Sequence, residues 1–192
     1  LDLLTRLITD RGEEFDRVDP GYCGPLYAEI SPRSFSVLVR PGMRLNQIRL
    51  RRGTLTFSDD DLRALHAREP LVDGTPIIDH GLAFSVDLTP RGDQPVGWRA
   101  KPHTGLIDLD RIAAYDPAEF WEPLFPAPRG GLILDPGAFY ILVSRESVAI
   151  PPMYAAEMQP YLAMAGEFRV HYAGFFDPGF GHASAHGAGS RG

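Results

Sequence analysis

The sequence predicts a mostly β protein, and three observations support this fold class. Twenty glycines and eighteen prolines are spread along the 192 residues, which is typical of many short strands joined by turns. Apolar and polar residues alternate in several short runs, for example over residues 26–30 and 82–88. Hydrophobic residues make up 44% of the chain, enough for the core of one large β domain or two small ones.

The charge and the cysteine content exclude several classes of protein. A formal net charge of -6 argues against nucleic acid binding through a general basic surface, although local arginines can still bind a small anion. The single cysteine, Cys23, excludes a disulfide framework and a Cys-rich zinc site, and favours a reducing cytoplasm. No apolar run approaches the roughly 20 residues that cross a bilayer, so we expect no membrane association.

The first part of the chain is ambiguous by periodicity. The apolar positions within residues 1–10 fit a helix as well as a strand, and residues 11–17 predict a polar loop. The chain begins with Leu1 and ends in a Gly- and Ala-rich segment, so we expect both ends to be cut.

The stretch 19–50 predicts a turn, two strands, a second turn and a third strand. Glycines and a proline open it at residues 19–24, alternation follows over 26–30, and Arg40-Pro41-Gly42-Met43 forms the second turn. Glu29 is unusual there, because a carboxylate within a strand either faces water or is held in a site. From the residues alone exposure to water is the commoner outcome, and both interpretations stay open.

A helix is predicted over residues 59–67. Ser58 suits the N-cap, and the aspartates that follow suit the positive end of the helix dipole. A linker is expected over residues 68–75. Beyond it we expect strands at residues 82–88, 96–100, 131–134 and 138–148, a helical turn within 112–121, and a short helix entered near Pro152.

The motifs of residues 17–43 resemble those of the dUTPase/dCTP deaminase superfamily, and specifically its deaminase branch. That branch has an R-x-D-P-G-aromatic-x-G turn, a strand that ends in the catalytic glutamate, a hairpin and an R-P-G-M. Here these are Arg17, the turn 19–24, Glu29 and the turn 40–43. The resemblance implies an all-β fold of dUTPase-like distorted jelly-roll (β-clip) domains in tandem, with few short helices.

The resemblance also implies the chemistry and the site. It implies hydrolytic deamination of dCTP to dUTP and ammonia, with Glu29 as general base and acid and without a catalytic zinc. Mg²⁺ would accompany the triphosphate and would not be held by a protein cage. Relatives form trimers, so a homo-oligomer is expected. The implied substrate-binding residues are Arg17, Asp19, Gly21, Tyr22, Tyr27 and Ala28, with Asp19 at the deoxyribose and the backbone of Tyr27 and Ala28 at the base edge.

A second Asp-Pro-Gly-aromatic at residues 177–180 suggests a tandem repeat. We therefore predict the end of a first domain at 1–56, a helix and linker at 57–75, and a second domain at 76–192. Gly187 stands ten residues after Asp177, where the first copy has its glutamate, so the second copy is predicted to lack catalysis and to be truncated.

Alternatives remain. The zinc-dependent deaminases need more cysteines than this chain has, and His182 and His186 lie on a Gly/Ala-rich loop without a nearby third metal ligand. A dUTP pyrophosphatase, or a bifunctional deaminase and pyrophosphatase, shares the fold. A non-catalytic nucleotide-binding regulatory module is supported by the absence of the family's Ser-Ser-x-x-Arg. Arg33 and Arg40 are left between phosphate binding and simple solvation.

Overall fold

The computed structural model describes residues 3–50, 53, 57–159, 174–182 and 190. The chain divides into two compact units that alternate along the sequence. The first consists of Leu1–Arg52 with Pro90–Ile141, and the second of Gly53–Thr89 with Leu142–Gly192.

Short strands predominate in the described part of the chain, which confirms the mostly β fold class with few short helices. The strands are β1 (Leu3–Thr9), β2 (Leu26–Pro32), β3 (Val37–Leu38), β4 (Gly97–Ala100), β5 (Ile107–Asp108), β6 (Trp121–Leu124), β7 (Tyr140–Leu142), β8 (Ala156–Glu157) and β9 (Phe175–Phe176). The helices are α1 (Asp59–Arg68) and α2 (Pro117–Phe120).

The first unit is organised around an antiparallel hairpin of β1 and β2. Its register runs from Leu3 opposite Pro32 to Thr9 opposite Leu26. The ambiguous first residues therefore form a strand, because pairing with β2 satisfies their backbone groups. Along β1 the side chains are buried or half-buried, whereas those of β2 are almost all exposed.

Two further sheets complete the first unit. Strands β3 and β5 are parallel, and β4 lies between β6 and β7. The core below them is aromatic: the ring of Phe35 meets those of Phe120 and Trp121 edge-on, with centroids 5.3 and 5.1 Å apart. Such edge-to-face pairs add to the stabilisation that burial provides.

Helix α1 belongs to the second unit and begins as the sequence predicted. Ser58 is the N-cap, and its hydroxyl accepts a hydrogen bond from the Asp61 amide while the Asp61 carboxylate accepts one from the Ser58 amide. This reciprocal pair is a capping box. The hydrogen bonds from the Ser58 side chain and backbone lower the pKa of Asp61.

A small apolar cluster forms the core of the second unit. Val72, Val148 and Ile150 are buried there, and half-buried aromatic rings such as Phe84 and Phe176 pack around them. Val72 and Val148 are joined by an isolated antiparallel bridge. The core is thus assembled from short segments far apart in the sequence.

Several of the predicted elements are wrong in extent or in kind. The strand expected over residues 82–88 is reduced to isolated bridges. No strand forms over residues 45–50 or 131–134, and the long strand expected over residues 138–148 is limited to β7. Near Pro152 the chain makes a turn and then β8 instead of a helix. Alternating residues specify which face is buried, but the length of a strand depends on a distant partner, and here those partners are short.

The Asp-Pro-Gly turns share one geometry. In the turns that begin at Asp19, Asp135 and Asp177, the amide of the fourth residue donates to the carbonyl of the aspartate over 3.1, 3.3 and 3.0 Å. Because the turn also occurs at Asp135, between the two copies of the motif at Asp19 and Asp177, its presence does not by itself mark a domain. The domains at 1–56 and 76–192 therefore stay a prediction, and His186 and Gly187 lie outside the described residues.

Candidate active site

Strand β2 carries three of the residues predicted for the site. Glu29 is exposed and lies opposite Arg6 of β1 in the register. Because side chains alternate along a strand, Glu29 shares a face with Tyr27, while Ala28 points to the other face. The Arg6 guanidinium lies 4.8 Å from the centre of the Phe15 ring, which covers it from the loop side.

The loop between β1 and β2 is fastened to the hairpin at Asp16. The Asp16 carboxylate accepts a hydrogen bond from the Leu7 amide over 2.8 Å, and the Asp16 amide donates to the Leu7 carbonyl over 3.0 Å. Two bonds at one residue fix the position at which the loop returns. The Asp19 turn therefore begins from a defined point beside the hairpin.

Arg17 and Asp19 meet at the start of that turn. The Arg17 Nε lies 3.1 Å from an Asp19 carboxylate oxygen, and its Nη1 donates to Glu14 over 2.9 Å. The hydrogen bond to Glu14 and the charges of Glu14 and Asp19 raise the pKa of Arg17. All three side chains are mostly exposed, so this cluster presents one cation and two carboxylates to solvent.

Tyr22 closes the turn. Its hydroxyl donates to the Pro25 carbonyl over 2.5 Å and accepts a hydrogen bond from the Asp10 amide over 3.2 Å. Gly21 has φ of 82°, a conformation that other residues adopt at a cost. A Cβ on Gly24 would lie 2.7 Å from the Tyr22 hydroxyl, so the ring packs where only glycine leaves room.

Asp10 also acts on Tyr27. Its charge, together with partial burial and a side-chain hydrogen bond, raises the pKa of the Tyr27 hydroxyl. Asp10 thus contacts both predicted tyrosines. Its amide donates to the Tyr22 hydroxyl, and its carboxylate interacts with the Tyr27 hydroxyl. The sequence had given no signal for Asp10, which lies between a strand and a polar loop.

A shallow cleft of about 310 Å³ lies against the hairpin in the first unit. Tyr27 and Ala28 line one side of it, together with Leu7 and Leu26. Residues 43–46, which begin with the last residue of the R-P-G-M turn, line the other side. The volume lies at the lower end of the range for small-molecule pockets.

The Arg40 side chain is not simply solvated, because it is ion-paired, and it does not line the cleft. Its guanidinium makes a two-pronged ion pair with Asp108, over 2.5 and 2.8 Å, and a third contact with Asp110 over 2.7 Å. The hydrogen bonds from Arg40 lower the pKa of Asp108 to about 2, and the pKa of Arg40 is raised. Both alternatives left open for Arg40 are therefore replaced by a structural ion pair.

The structure brings some predicted site residues together and separates others. Arg17 pairs with Asp19, and Tyr27 and Ala28 share the cleft. The Glu29 side chain leaves the opposite face of β2 from that of Ala28. The sequence analysis did not assign residues 43–46 to the site. The available signal was the R-P-G-M turn, whose last residue begins this segment.

Potential metal ligands are dispersed. In the ranges that the structure describes, no three His, Cys, Asp or Glu side chains are grouped so that they could hold a metal ion. His182 lies 3.9 Å from a carboxylate oxygen of Glu69, both of them in the second unit.

Fold and site together define a β protein with a shallow surface cleft beside a turn-anchored hairpin. Two family models match the chain: the N-terminal domain of 2′-deoxycytidine 5′-triphosphate deaminase over residues 1–54 and the C-terminal domain of the same enzyme over residues 58–192. The chain therefore belongs to the 2′-deoxycytidine 5′-triphosphate deaminase family.

A solved structure gives the same result. The crystal structure of 2′-deoxycytidine 5′-triphosphate deaminase from Agrobacterium tumefaciens is 54% identical in sequence and superposes with a TM-score of 0.92. The match covers 100% of this chain, which spans 58% of the length of that protein. The comparison with curated proteins gave no match. Among the described residues, no helix is long and apolar enough to cross a membrane.

Proposed function

We propose that this protein is an enzyme that deaminates dCTP to dUTP and ammonia. The observation that carries the proposal is the match of the two deaminase family models to residues 1–54 and 58–192. On β2, Glu29 directly follows Tyr27 and Ala28, which line the cleft, and its side chain lies on the same face as that of Tyr27. The similar enzyme from Agrobacterium tumefaciens is named for this substrate.

In the proposed reaction Glu29 moves the protons. Its carboxylate takes a proton from water, and the hydroxide attacks C4 of the cytosine while that proton passes to the ring nitrogen N3. The C4 hydroxyl proton then passes through Glu29 to the amino group, which leaves as ammonia while the C4 carbonyl forms. One water molecule is consumed, one ammonia is released and the cytosine becomes uracil.

The substrate would be held mainly by turns and backbone. Asp19 would contact the deoxyribose, and the backbone of Tyr27 and Ala28 would contact the base edge. Gly21 and Tyr22 would shape the turn around the sugar, and Arg17 would add a cation near the entrance. The hydrogen bonds of the Tyr22 hydroxyl support a rigid turn, which lowers the entropy lost on binding.

Magnesium would enter with the substrate. We propose that Mg²⁺ is carried by the triphosphate and is not caged by protein. We further propose a homo-oligomer, in which the exposed strand β2 lies near a neighbouring copy, and a cytoplasmic location, which suits the exposed thiol of Cys23.

The test is product analysis with dCTP and Mg²⁺ on the protein in its natural length and on Glu29→Gln. We expect ammonia release to fall by about 10² to 10⁴-fold in the variant, because the amide cannot carry protons, while dCTP still binds. Glu13→Gln serves as the control, since Glu13 is an exposed glutamate of the preceding loop. Its rate should match that of the unaltered protein.

The other outcomes assign the alternatives. Release of dUMP and pyrophosphate along with ammonia would identify the bifunctional enzyme. Pyrophosphate release without ammonia would identify a dUTP pyrophosphatase. Tight dCTP binding without any product would identify a non-catalytic regulatory module, and full activity in Glu29→Gln would remove Glu29 from the mechanism.

A further inference from the structure

The side of the cleft formed by Met43–Asn46 has little secondary structure to hold it. In the part of the chain that the structure describes, residues 44–50 belong to no helix or strand. The opposite side, Leu26–Ala28, is by contrast fixed by the register of the β1–β2 hairpin. The shape of the cleft therefore depends on what positions the segment before residue 44.

That segment is attached at Arg40. Its two terminal nitrogens bond to the two carboxylate oxygens of Asp108, and this two-pronged geometry fixes orientation as well as distance. The Arg40 side chain is 41% exposed and the Asp108 side chain only 21%, so the pair is partly shielded from water. Asp110 adds one further oxygen at 2.7 Å.

The acceptor is itself held in place. Asp108 ends strand β5, where its partner in the parallel register is Leu38 of β3. Its amide donates to the Tyr115 hydroxyl over 2.8 Å, and its carboxylate also accepts from the Asp110 amide over 3.2 Å. A carboxylate fixed in this way defines where the guanidinium can lie.

The position of Arg40 is passed on within three residues. The Met43 amide donates to the Arg40 carbonyl over 3.2 Å, and the Met43 sulfur accepts from the Arg40 amide over 3.2 Å. Gly42, with φ of 87°, allows the tight turn between them. Met43 is the first residue of the cleft side, so the ion pair and the cleft are directly connected.

We propose that Arg40 and Asp108 are positioning residues that clamp the Met43–Asn46 side of the cleft in place for the nucleotide. The clamp joins a residue matched by the N-terminal family model to one matched by the C-terminal model, within one compact unit. The effect of the clamp on nucleotide binding rests on the proposed function. The effect of the clamp on the position of residues 43–46 does not.

Two variants and two controls test the clamp in the protein at its natural length. Asp108→Asn removes the charge, and Arg40→Lys keeps a charge but loses the two-pronged contact. Asp108→Glu keeps a carboxylate and should restore part of the effect. Asp135→Asn breaks an ion pair with Arg99 in the same unit, away from the cleft, although the Asp135 side chain is more exposed than that of Asp108.

The first readout is hydrogen exchange. In Asp108→Asn and Arg40→Lys we expect the Met43 amide, which donates to the Arg40 carbonyl, to exchange about tenfold faster, while the hairpin amides keep their rates. Unchanged exchange at the Met43 amide would overturn the clamp. A uniform increase over the whole unit would overturn it as well, since that pattern indicates only a general loss of stability.

The second readout is steady-state deamination. A misplaced cleft side predicts a KM for dCTP raised about fivefold to tenfold with kcat within about twofold. Local exchange changes with an unchanged KM would refute the link to the nucleotide. If the unaltered protein releases no ammonia, the proposed function fails, and hydrogen exchange still decides the clamp on its own.

Discussion

At the scale of single residues, Asp108 shows how a side chain acquires a role that composition does not reveal. Its partners are Arg40, which is distant in sequence, and the neighbouring Asp110 amide. No local pattern marks such a pair, because an ion pair between segments depends on which strands become neighbours. The turn at residues 19–24 could be predicted from the sequence, since its geometry follows from Pro and Gly at fixed positions.

The lowered pKa of Asp108 predicts a stability that depends on pH. Its pKa of about 2 in the folded protein lies below the unfolded value of about 3.9, so its stabilising contribution is present above about pH 4 and is lost as the pH falls toward 2. The urea midpoints of the unaltered protein and of Asp108→Asn should therefore differ near neutral pH and converge in acid. A constant difference between Asp108→Asn and the unaltered protein over the whole acid range would contradict the assignment to Asp108.

At the scale of elements, short-range signals were sufficient for α1 and insufficient for most strands. The helix was predicted from an N-cap serine followed by aspartates, and the contacts that start it lie within four residues. Strands such as β7 pair with partners far away in sequence, in this case β4. The sequence therefore predicted where alternation occurs but not how much of it pairs.

The capping box gives a direct prediction. Ser58→Ala removes the hydroxyl that accepts from the Asp61 amide and should lower the free energy of unfolding by about 1 kcal/mol. Chemical denaturation of Ser58→Ala and of Ser58→Thr, which keeps a capping hydroxyl, measures this. Equal losses in both variants would show that the hydroxyl is not what stabilises the helix.

At the scale of the whole molecule, the first compact unit is built from both parts of the sequence that the family models separate. Residues 1–54 contain β1, β2 and β3, whereas the partner of β3 and the partners of Arg40 lie within Pro90–Ile141. The sequence indicated the family and the mostly β class through a few motifs. It could not indicate this interleaving, because contacts between distant segments leave no periodic trace.

The interleaving predicts how fragments behave. A fragment of residues 1–54 should unfold without a cooperative transition, because β3 and Arg40 lose their partners and so short a chain buries too little apolar surface. Urea titration followed by circular dichroism measures this, with the whole 192-residue chain as the reference. A sharp, reversible transition in the fragment would show that the hairpin region is self-sufficient.

The separation of 68 residues between Arg40 and Asp108 also sets an order of events during synthesis. The hairpin can pair as soon as residue 32 is available, whereas the clamp waits for β5. At about 5 to 20 residues per second, that wait is roughly 3 to 14 seconds on the ribosome. During this interval the side of the cleft at residues 43–46 lacks the ion pair that positions it. Slower translation between codons 40 and 108 should therefore lengthen the time for which this side of the cleft is not anchored.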